Sequence, residues 1–71
     1  MAMYKVGDIV RYAEKWCSPG EEKYIHIVLE IRDHSDDPQI GTCRYLIRTL
    51  NSSLHYFQPT ETVDEEMIEL I

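Results

Sequence analysis

The stretch that decides the fold is Tyr24-Ile-His-Ile-Val-Leu-Glu-Ile-Arg-Asp33. Four apolar residues recur in it at every second position, namely Ile25, Ile27, Leu29 and Ile31. Because side chains alternate across a β-strand, this spacing puts all four on one face. The other face carries mostly polar and charged side chains, which suits a partly solvated surface. We therefore predict a central strand over residues 24–33, with the four alternating apolar side chains in the core.

Size and composition indicate one folded domain, residues 1–71. Hydrophobic residues make up 44% of the chain, and they include five Tyr, one Trp and one Phe, which argues against disorder. A chain of this length buries only about 60% of the surface that its unfolded form exposes. The core is therefore expected to be small.

Nothing in the sequence suggests export or a membrane. No apolar run approaches the roughly 20 residues that span a bilayer. The segment Met1–Lys5 lacks the apolar region of a secretory signal. We therefore expect a cytoplasmic protein in which Cys17 and Cys43 are reduced thiols rather than a disulfide.

The charge balance argues against a nucleic-acid partner without excluding it. The formal net charge is −6, and residues 51–71 carry five acidic groups and no Lys or Arg. Binding to phosphates normally requires a basic face that displaces counterions. The residues that could build such a face are Lys5, Arg11, Lys15, Arg44 and Arg48.

Further strands are predicted on both sides of the central one. Residues 6–12 form the first, and Gly7 within it indicates a bulge or a close backbone approach. Residues 42–50 form the third, with Cys43, Tyr45 and Ile47 facing the core. A tight turn at residues 51–53 then leads into a fourth strand over residues 54–58.

Two segments have helical signals. Ser18 and Glu21 form a capping box around Pro19, which predicts one helical turn over residues 19–23 inside a long loop over residues 13–23. Near the end, Thr62 and Glu65 form a second such box, so we expect a helical turn over residues 62–67 and then an extended end. Residues 67–71 read equally well as a short last strand or as part of a helix.

Four or five short strands with short helical turns indicate a mostly β domain, a small antiparallel barrel. Lys5-Val-Gly-Asp-Ile-Val10 resembles the first strand of small bacterial SH3-like barrels, including the KOW type. Phe57-Gln-Pro-Thr-Glu-Thr-Val63 resembles the Pro-x-Glu-x-Val turn before their last strand. The resemblance implies an SH3-like barrel. It implies no peptide site, because the Ala-Leu-Tyr-Asp-Tyr signature of signalling SH3 domains is missing.

A second resemblance concerns the first loop. Trp16-Cys-Ser-Pro-Gly-Glu-Glu-Lys-Tyr24 is similar to short proteins of gut Firmicutes and their mobile elements, and it implies no activity. The basic loops of ribosomal KOW proteins are also missing, so RNA binding is not implied either.

Neither a metal site nor a catalytic group is predicted. None of the five potential soft ligands forms a Cys-x2-Cys or His-x3-His pair, the spacing typical of a zinc site; they are Cys17, His26, His34, Cys43 and His55. A nucleophilic Cys17 would need a base and an orienting group, and the sequence identifies neither. We therefore expect no metal, no cofactor and no enzymatic activity.

The aromatic residues of the first loop are the best candidates for binding. Tyr12, Trp16 and Tyr24, with Glu21 and Glu22 between them, predict a shallow groove edged with carboxylates. Such a groove suits a basic or proline-containing peptide. The alternatives are that Trp16 caps one end of the barrel and that Tyr12 belongs to the core.

The expected function is therefore that of a small non-catalytic binding module or accessory protein, acting through protein–protein interaction. The alternative is a nucleic-acid-associated SH3-like or KOW-type barrel, in which aromatic stacking and three arginines hold the strand; these are Arg11, Arg44 and Arg48.

Overall fold

Five antiparallel strands form a single sheet in a computed structural model that describes residues 2–51 and 60–71. The strands are β1 (Ile9–Tyr12), β2 (His26–Asp33), β3 (Cys43–Thr49), β4 (Thr60–Asp64) and β5 (Ile68–Leu70). Their order across the sheet is β4-β3-β2-β1-β5. Two short 3-10 turns, Glu14–Trp16 and Glu65–Met67, are the only helical elements in the described ranges. The predicted mostly β, antiparallel fold is confirmed.

The central strand exists as predicted. Over its first residues, however, the face that packs on the core is the one opposite to the predicted face. Val28 pairs with Ile47, and the register then shifts so that Ile31 pairs with Tyr45. Leu29 is the extra residue of this β-bulge, and an extra residue reverses the alternation beyond it. Before the bulge the buried side chains of β2 are therefore His26 and Val28.

The prediction of a shared core face for the four alternating residues is therefore wrong. Ile25, Ile27 and Leu29 are only half-buried and lie on the outer face. Ile31 alone packs against the core, because it follows the bulge. In β3, which pairs without interruption with β4, Cys43, Tyr45 and Ile47 are buried as predicted.

The first strand is shorter than predicted and begins only at Ile9. Gly7 lies in the turn before it, with φ +95°, and its N–H donates to the carbonyl of Val28 at 2.8 Å. A Cβ at this position would meet no atom within 4 Å. The glycine is therefore required by the left-handed backbone and not by crowding.

The helical turn predicted for residues 19–23 is absent. Ser18 and Glu21 are instead the ends of a β-turn, in which the Glu21 N–H donates to the Ser18 carbonyl at 3.0 Å. Pro19 is its second residue and Gly20 its third, with φ +89°, which is the pattern of a type II turn. The left-handed Gly20 interrupts any right-handed helix at this point.

At the C-terminal end the prediction is correct in part. Residues 62–64 belong to β4, because each of its five residues pairs with β3. The helical turn begins only at Glu65, and the extended end is a strand that pairs with β1. The predicted turn at residues 51–53 and the strand over residues 54–58 fall almost entirely outside the described residues.

The core lies on one side of the sheet, under β1, β2, β3 and the C-terminal segment. Its buried hydrophobic residues are Tyr4, Val10, Val28, Cys43, Tyr45, Ile47, Val63 and Ile68. β4 and β5 are the edges of the sheet and do not pair with each other in the described ranges, so the sheet is open. No helix of those ranges is long and apolar enough to cross a membrane.

Two tyrosines tie the N-terminal segment to this core. The rings of Tyr4 and Tyr45 meet edge to face, with centroids 5.3 Å apart. The Tyr45 hydroxyl donates to Glu65 Oε2 at 2.8 Å and accepts from the Met3 N–H at 3.0 Å. The Tyr4 hydroxyl donates to the Ile68 carbonyl at 2.8 Å. Burial and the bond to Glu65 raise the pKa of Tyr45 to about 12.

Candidate functional site

A groove of about 450 Å³ lies between the first loop and strands β1 and β5. One wall comes from the two strands and the other from the loop that follows β1. The described residues that line it are Arg11, Tyr12, Glu14, Cys17, Ser18, Pro19, Glu22 and Glu69. We refer to it as the acidic groove.

Backbone hydrogen bonds hold the loop wall in place. The Ala13 N–H donates to the Met67 carbonyl at 2.9 Å, which fixes the start of the loop against the C-terminal segment. The type II turn then reverses the chain after Ser18. Glu22 Oε2 accepts from the Gly20 N–H at 2.8 Å, so this carboxylate is oriented by the turn. The loop therefore presents its acidic residues in a defined arrangement.

The groove carries an excess of negative charge. Three carboxylates line it, from Glu14, Glu22 and Glu69, against the single guanidinium of Arg11. That guanidinium is already engaged, because Arg11 Nε lies 3.2 Å from Glu69 Oε1. Glu21 is close enough to act electrostatically on both groove residues Tyr12 and Cys17, although it does not line the groove itself. The groove therefore favours a cationic ligand.

The structure brings together only part of the predicted site. Tyr12 and Glu22 line the acidic groove, and Glu21 lies beside it, half-buried. Trp16 and Tyr24 are not among its described lining residues. The three aromatic side chains therefore do not form one continuous surface around this groove.

Trp16 and Tyr24 each hold a lysine of their own chain. Lys15 Nζ lies 5.8 Å from the centroid of the Trp16 ring, and Lys23 Nζ lies 5.7 Å from that of Tyr24. Both distances fall within the range of a cation–π contact. Trp16 is 42% exposed, so it is not a core residue of the described structure. The sequence left open whether Tyr12 belongs to the core or to a groove. In the structure it does both, because it packs on the core and also lines the acidic groove.

Two groove residues that lie outside the first loop, on β1 and β5, were not predicted as part of this groove. Arg11 and Glu69 meet because β5 pairs with β1, a contact between residues 58 positions apart. The local sequence around Glu69 carries no signal of this pairing. Their alternation with the core positions Val10 and Ile68 places them on the outer face, but it does not indicate which strands are neighbours.

Cys17 is not an activated nucleophile in this setting. Its thiol is half-buried, and Sγ lies 3.7 Å from the Ser18 carbonyl oxygen. Burial raises its pKa, and the carboxylates of Glu22 and Glu21 raise it further. A nucleophilic cysteine requires the opposite shift, toward the thiolate.

Behind Tyr12 lies a buried histidine. His26 is 4% exposed and is the single buried polar residue of the described ranges. Its Nδ1 is 3.0 Å from Thr49 Oγ1, whereas Nε2 has no hydrogen-bond partner among the described residues. The Tyr12 ring meets the imidazole edge to face, with centroids 5.0 Å apart. On its other side, the Tyr12 hydroxyl donates to Glu61 Oε2.

Burial is the largest influence on the pKa values of His26 and Tyr12. Burial lowers the pKa of His26, and the carboxylates of Glu61 and Glu21 oppose that shift. The pKa of Tyr12 is raised by burial first and then by its hydrogen bond to Glu61. His26 is therefore neutral and Tyr12 protonated at neutral pH.

We expect acidification to destabilise the protein through His26. Because the folded pKa of His26 is below its unfolded value, the unfolded chain binds more protons as pH falls below about 6.5. Stability is then complete above that pH and declines below it, by at most about 1.4 kcal/mol per pH unit for one group. Urea unfolding between pH 7.5 and 5 measures this decline, which should be smaller in His26→Gln and unchanged in His34→Gln.

The ionisation of Asp33 lies outside the pH range of this measurement. Hydrogen bonds from Ser35 lower the pKa of Asp33 to about 2, so Asp33 titrates well below it. An unchanged or rising stability on acidification would contradict the inferred environment of His26.

A second cleft, of about 510 Å³, lies near the hairpin between β2 and β3. Its lining includes Arg44, Asp64, Glu65 and Glu66. Arg44 Nε is 2.9 Å from Asp64 Oδ1, and Glu65 already accepts the hydroxyl of the core residue Tyr45. Its polar groups are therefore mostly used within the fold, and we assign the candidate site to the acidic groove.

Within the described part of the chain, no group of three or more His, Cys, Asp or Glu side chains is arranged to hold a metal ion. Comparisons with protein-family models, with curated proteins and with solved structures gave no match. We therefore infer the function from the geometry of the acidic groove.

Proposed function

We propose that the protein is a small non-catalytic binding module that holds a basic segment of a partner protein in the acidic groove. The observation that carries this proposal is the excess of carboxylates over cations in a groove that also offers apolar surface. Glu14 and Glu22 have no cation paired with them in the described structure, whereas Arg11 is engaged by Glu69. A lysine or arginine of a partner supplies the missing positive charge.

The apolar part of the groove suits the stem of such a side chain. Tyr12 and Pro19 line it together with the carboxylates. Lysine and arginine lay their methylene stems along apolar surface while the charged head remains in a polar setting. Charge complementarity of this kind speeds the encounter and selects against acidic partners.

Trp16, Tyr24 and Glu21 are proposed as additional contacts at the margin of this surface. The two aromatic rings already attract cations, since Lys15 and Lys23 lie over them. A partner's cation can replace one of these lysines without a new cavity being needed. Glu21 adds negative potential beside Tyr12.

We further propose that the sheet belongs to an SH3-like barrel. Tyr12 on β1 hydrogen-bonds Glu61 on β4, although β2 and β3 lie between these strands. Three strand spacings in a flat sheet amount to roughly 14 Å. The contact supports a sheet that curls over its core face, and the return of β5 to β1 supports the same arrangement.

A cytoplasmic location is part of the proposal. Both cysteines are free thiols: Cys43 lies in the core and Cys17 in the groove wall. Free thiols of this kind are typical of a reducing compartment.

The nucleic-acid alternative has less support. Two of the three arginines proposed for it are paired with carboxylates, Arg11 with Glu69 at 3.2 Å and Arg44 with Asp64 at 2.9 Å. A phosphate would have to displace these carboxylates, in a chain of net charge −6. The observations favour a basic peptide.

Neutralising two groove carboxylates should weaken binding of a basic peptide. In the double variant Glu14→Gln/Glu22→Gln the amide oxygen at position 22 can still accept from the Gly20 N–H, so the turn is retained. At about 0.5–1 kcal/mol for each exposed charge pair, the affinity should fall about five- to thirtyfold. Fluorescence anisotropy with a labelled ten-residue peptide of alternating lysine and proline measures this.

The matched control is Glu66→Gln, which neutralises a carboxylate in the second cleft. It should leave the affinity within about twofold of the unmodified protein. If Glu66→Gln weakened peptide binding as much as the double variant does, the affinity would depend only on the net charge of the protein. Tighter binding of a single-stranded oligonucleotide than of the peptide, with a steep salt dependence, would favour the nucleic-acid alternative.

A further inference from the structure

One lining residue of the acidic groove, Tyr12, contacts a buried titratable group. Tyr12 lines the groove, and its ring meets the imidazole of His26 edge to face, with centroids 5.0 Å apart. The hydroxyl of Tyr12 donates to Glu61 on β4. Tyr12 is therefore held from two sides, by an aromatic contact and by one hydrogen bond.

The imidazole is surrounded by groups from four elements. Val10 of β1 and Thr49 of β3 are its cross-strand neighbours, and Tyr12 of β1 packs on its ring. The charged groups near it are Glu61 of β4 and Glu21 of the loop before β2. No cation lies among these neighbours, so a proton on His26 would meet two carboxylates.

Among the described residues, the neutral ring finds a hydrogen-bond partner for only one of its nitrogens in either tautomer. Nδ1 is bonded to Thr49 Oγ1, and Nε2 is buried with no partner in the described ranges. A buried polar atom in this state is costly, because it has lost its water and gained nothing in return. After protonation both nitrogens become donors, and Nε2–H requires an acceptor.

We propose that His26 is a pH-responsive element of the acidic groove: on protonation it draws the Glu61 carboxylate away from Tyr12 and so loosens a side chain that lines the groove. The inference rests on the function proposed above, since it concerns the regulation of the same groove. The proton comes from solvent, adds to the unprotonated ring nitrogen and creates an imidazolium. No other bond is made or broken apart from hydrogen bonds.

The chemistry of the ligand determines whether protonation of His26 strengthens or weakens its binding. A loosened Tyr12 no longer provides a fixed apolar surface for a lysine or arginine stem. The new positive charge also lies behind a groove that selects for cations. Acidification therefore releases a basic segment that is held at neutral pH.

The test compares binding of the lysine–proline peptide at pH 7.5 and at pH 5.5, at one ionic strength. The unmodified protein should bind about fivefold more weakly at pH 5.5, the loss that corresponds to one hydrogen bond. The chain has three histidines, so the variant His34→Gln/His55→Gln leaves His26 as the only imidazole. That variant should keep the full pH dependence.

Two further variants should abolish or reduce the pH dependence of peptide binding, each in a different way. His26→Phe cannot be protonated, and its affinity should be equal at the two pH values. Glu61→Gln keeps an oxygen that can accept from Tyr12 but has no charge to attract the imidazolium, so its pH dependence should be smaller. Because His26→Phe has the greater risk of failing to fold, Glu61→Gln keeps the proposal testable.

A measurement without peptide separates this inference from the proposed function. In NMR spectra of the free protein, the ring resonances of Tyr12 should shift with the same midpoint as those of His26, in the His34→Gln/His55→Gln background. If the peptide does not bind at any pH but the two rings titrate together, the proposed function fails and the coupling stands. Tyr12 resonances that do not follow His26 would overturn the inference, as would unfolding between pH 7.5 and 5.5.

Discussion

Tyr45→Ala is expected to cost about 3–5 kcal/mol of the free energy of unfolding, the usual loss for truncating a fully buried aromatic side chain. Tyr45 has no exposed surface and lies at the centre of the core between β2 and β4. A chain of 71 residues has little stability to spare. We expect the variant to be largely unfolded at 25 °C, which circular dichroism and urea titration will show.

The hydroxyl of Tyr45 can be examined separately with Tyr45→Phe. This change keeps the ring but leaves the Glu65 carboxylate and the Met3 N–H without their partner. Unsatisfied groups of this kind cost about 1–3 kcal/mol. Tyr24→Phe is the matched control, because no hydrogen bond of the Tyr24 hydroxyl is seen in the described structure, and it should change stability by less than about 0.5 kcal/mol. Equal effects of the two changes would contradict the inferred role of the Tyr45 hydroxyl.

The second large effect concerns the two faces of the sheet. Ile47→Ala should cost about 2–5 kcal/mol, because Ile47 is 1% exposed and packs in the core beside Val28. Ile27→Ala should cost less than about half as much, since Ile27 is half-buried on the outer face. Parallel urea titrations of the two variants measure the difference.

This comparison tests the bulge at Leu29 directly. By alternation alone, Ile27 would be a core residue and its truncation would be the more damaging of the two. A larger loss for Ile27→Ala than for Ile47→Ala would mean that β2 presents its isoleucines to the core. The assigned register between β2 and β3 would then be wrong.

Strand positions were largely readable from the sequence, because the signals are local. The alternation in residues 24–33 and 42–50 indicates two strands, and both are present. In β3 the alternation also identifies the core face correctly, since no residue is inserted against β4. The pattern in residues 67–71 fitted a strand and a helix equally well, and pairing with β1 makes residues 68–70 a strand.

The helical turns were harder to predict from the sequence, because competing local signals favour different structures. Ser18 and Glu21 have the spacing of a capping box, but Pro19-Gly20 between them forms a type II turn. The segment 62–64 has helical signals of its own, yet it is a strand because β3 offers it a partner. Tertiary pairing outweighs a helix propensity of a few tenths of a kcal/mol per residue.

Of the candidate site, the sequence predicted an acidic loop beside an aromatic residue, and Tyr12 and Glu22 line the acidic groove together. It also predicted one surface for Trp16 and Tyr24, and the structure leaves these two outside the groove lining. Tyr24 follows the left-handed Gly20, which redirects the chain after it, whereas Trp16 ends the 3-10 turn Glu14–Trp16 that comes before this glycine.

By itself, then, the sequence determined a small, acidic, mostly β domain, because composition and alternation act through each residue's own side chain and its nearest neighbours. Only the tertiary structure decided which face of β2 is buried, since one extra residue at Leu29 reverses the alternation. It alone also placed Glu69 beside Arg11, and Glu61 beside Tyr12 and His26. Those contacts join residues far apart in the chain, and they depend on strand order and curvature, which no local pattern encodes.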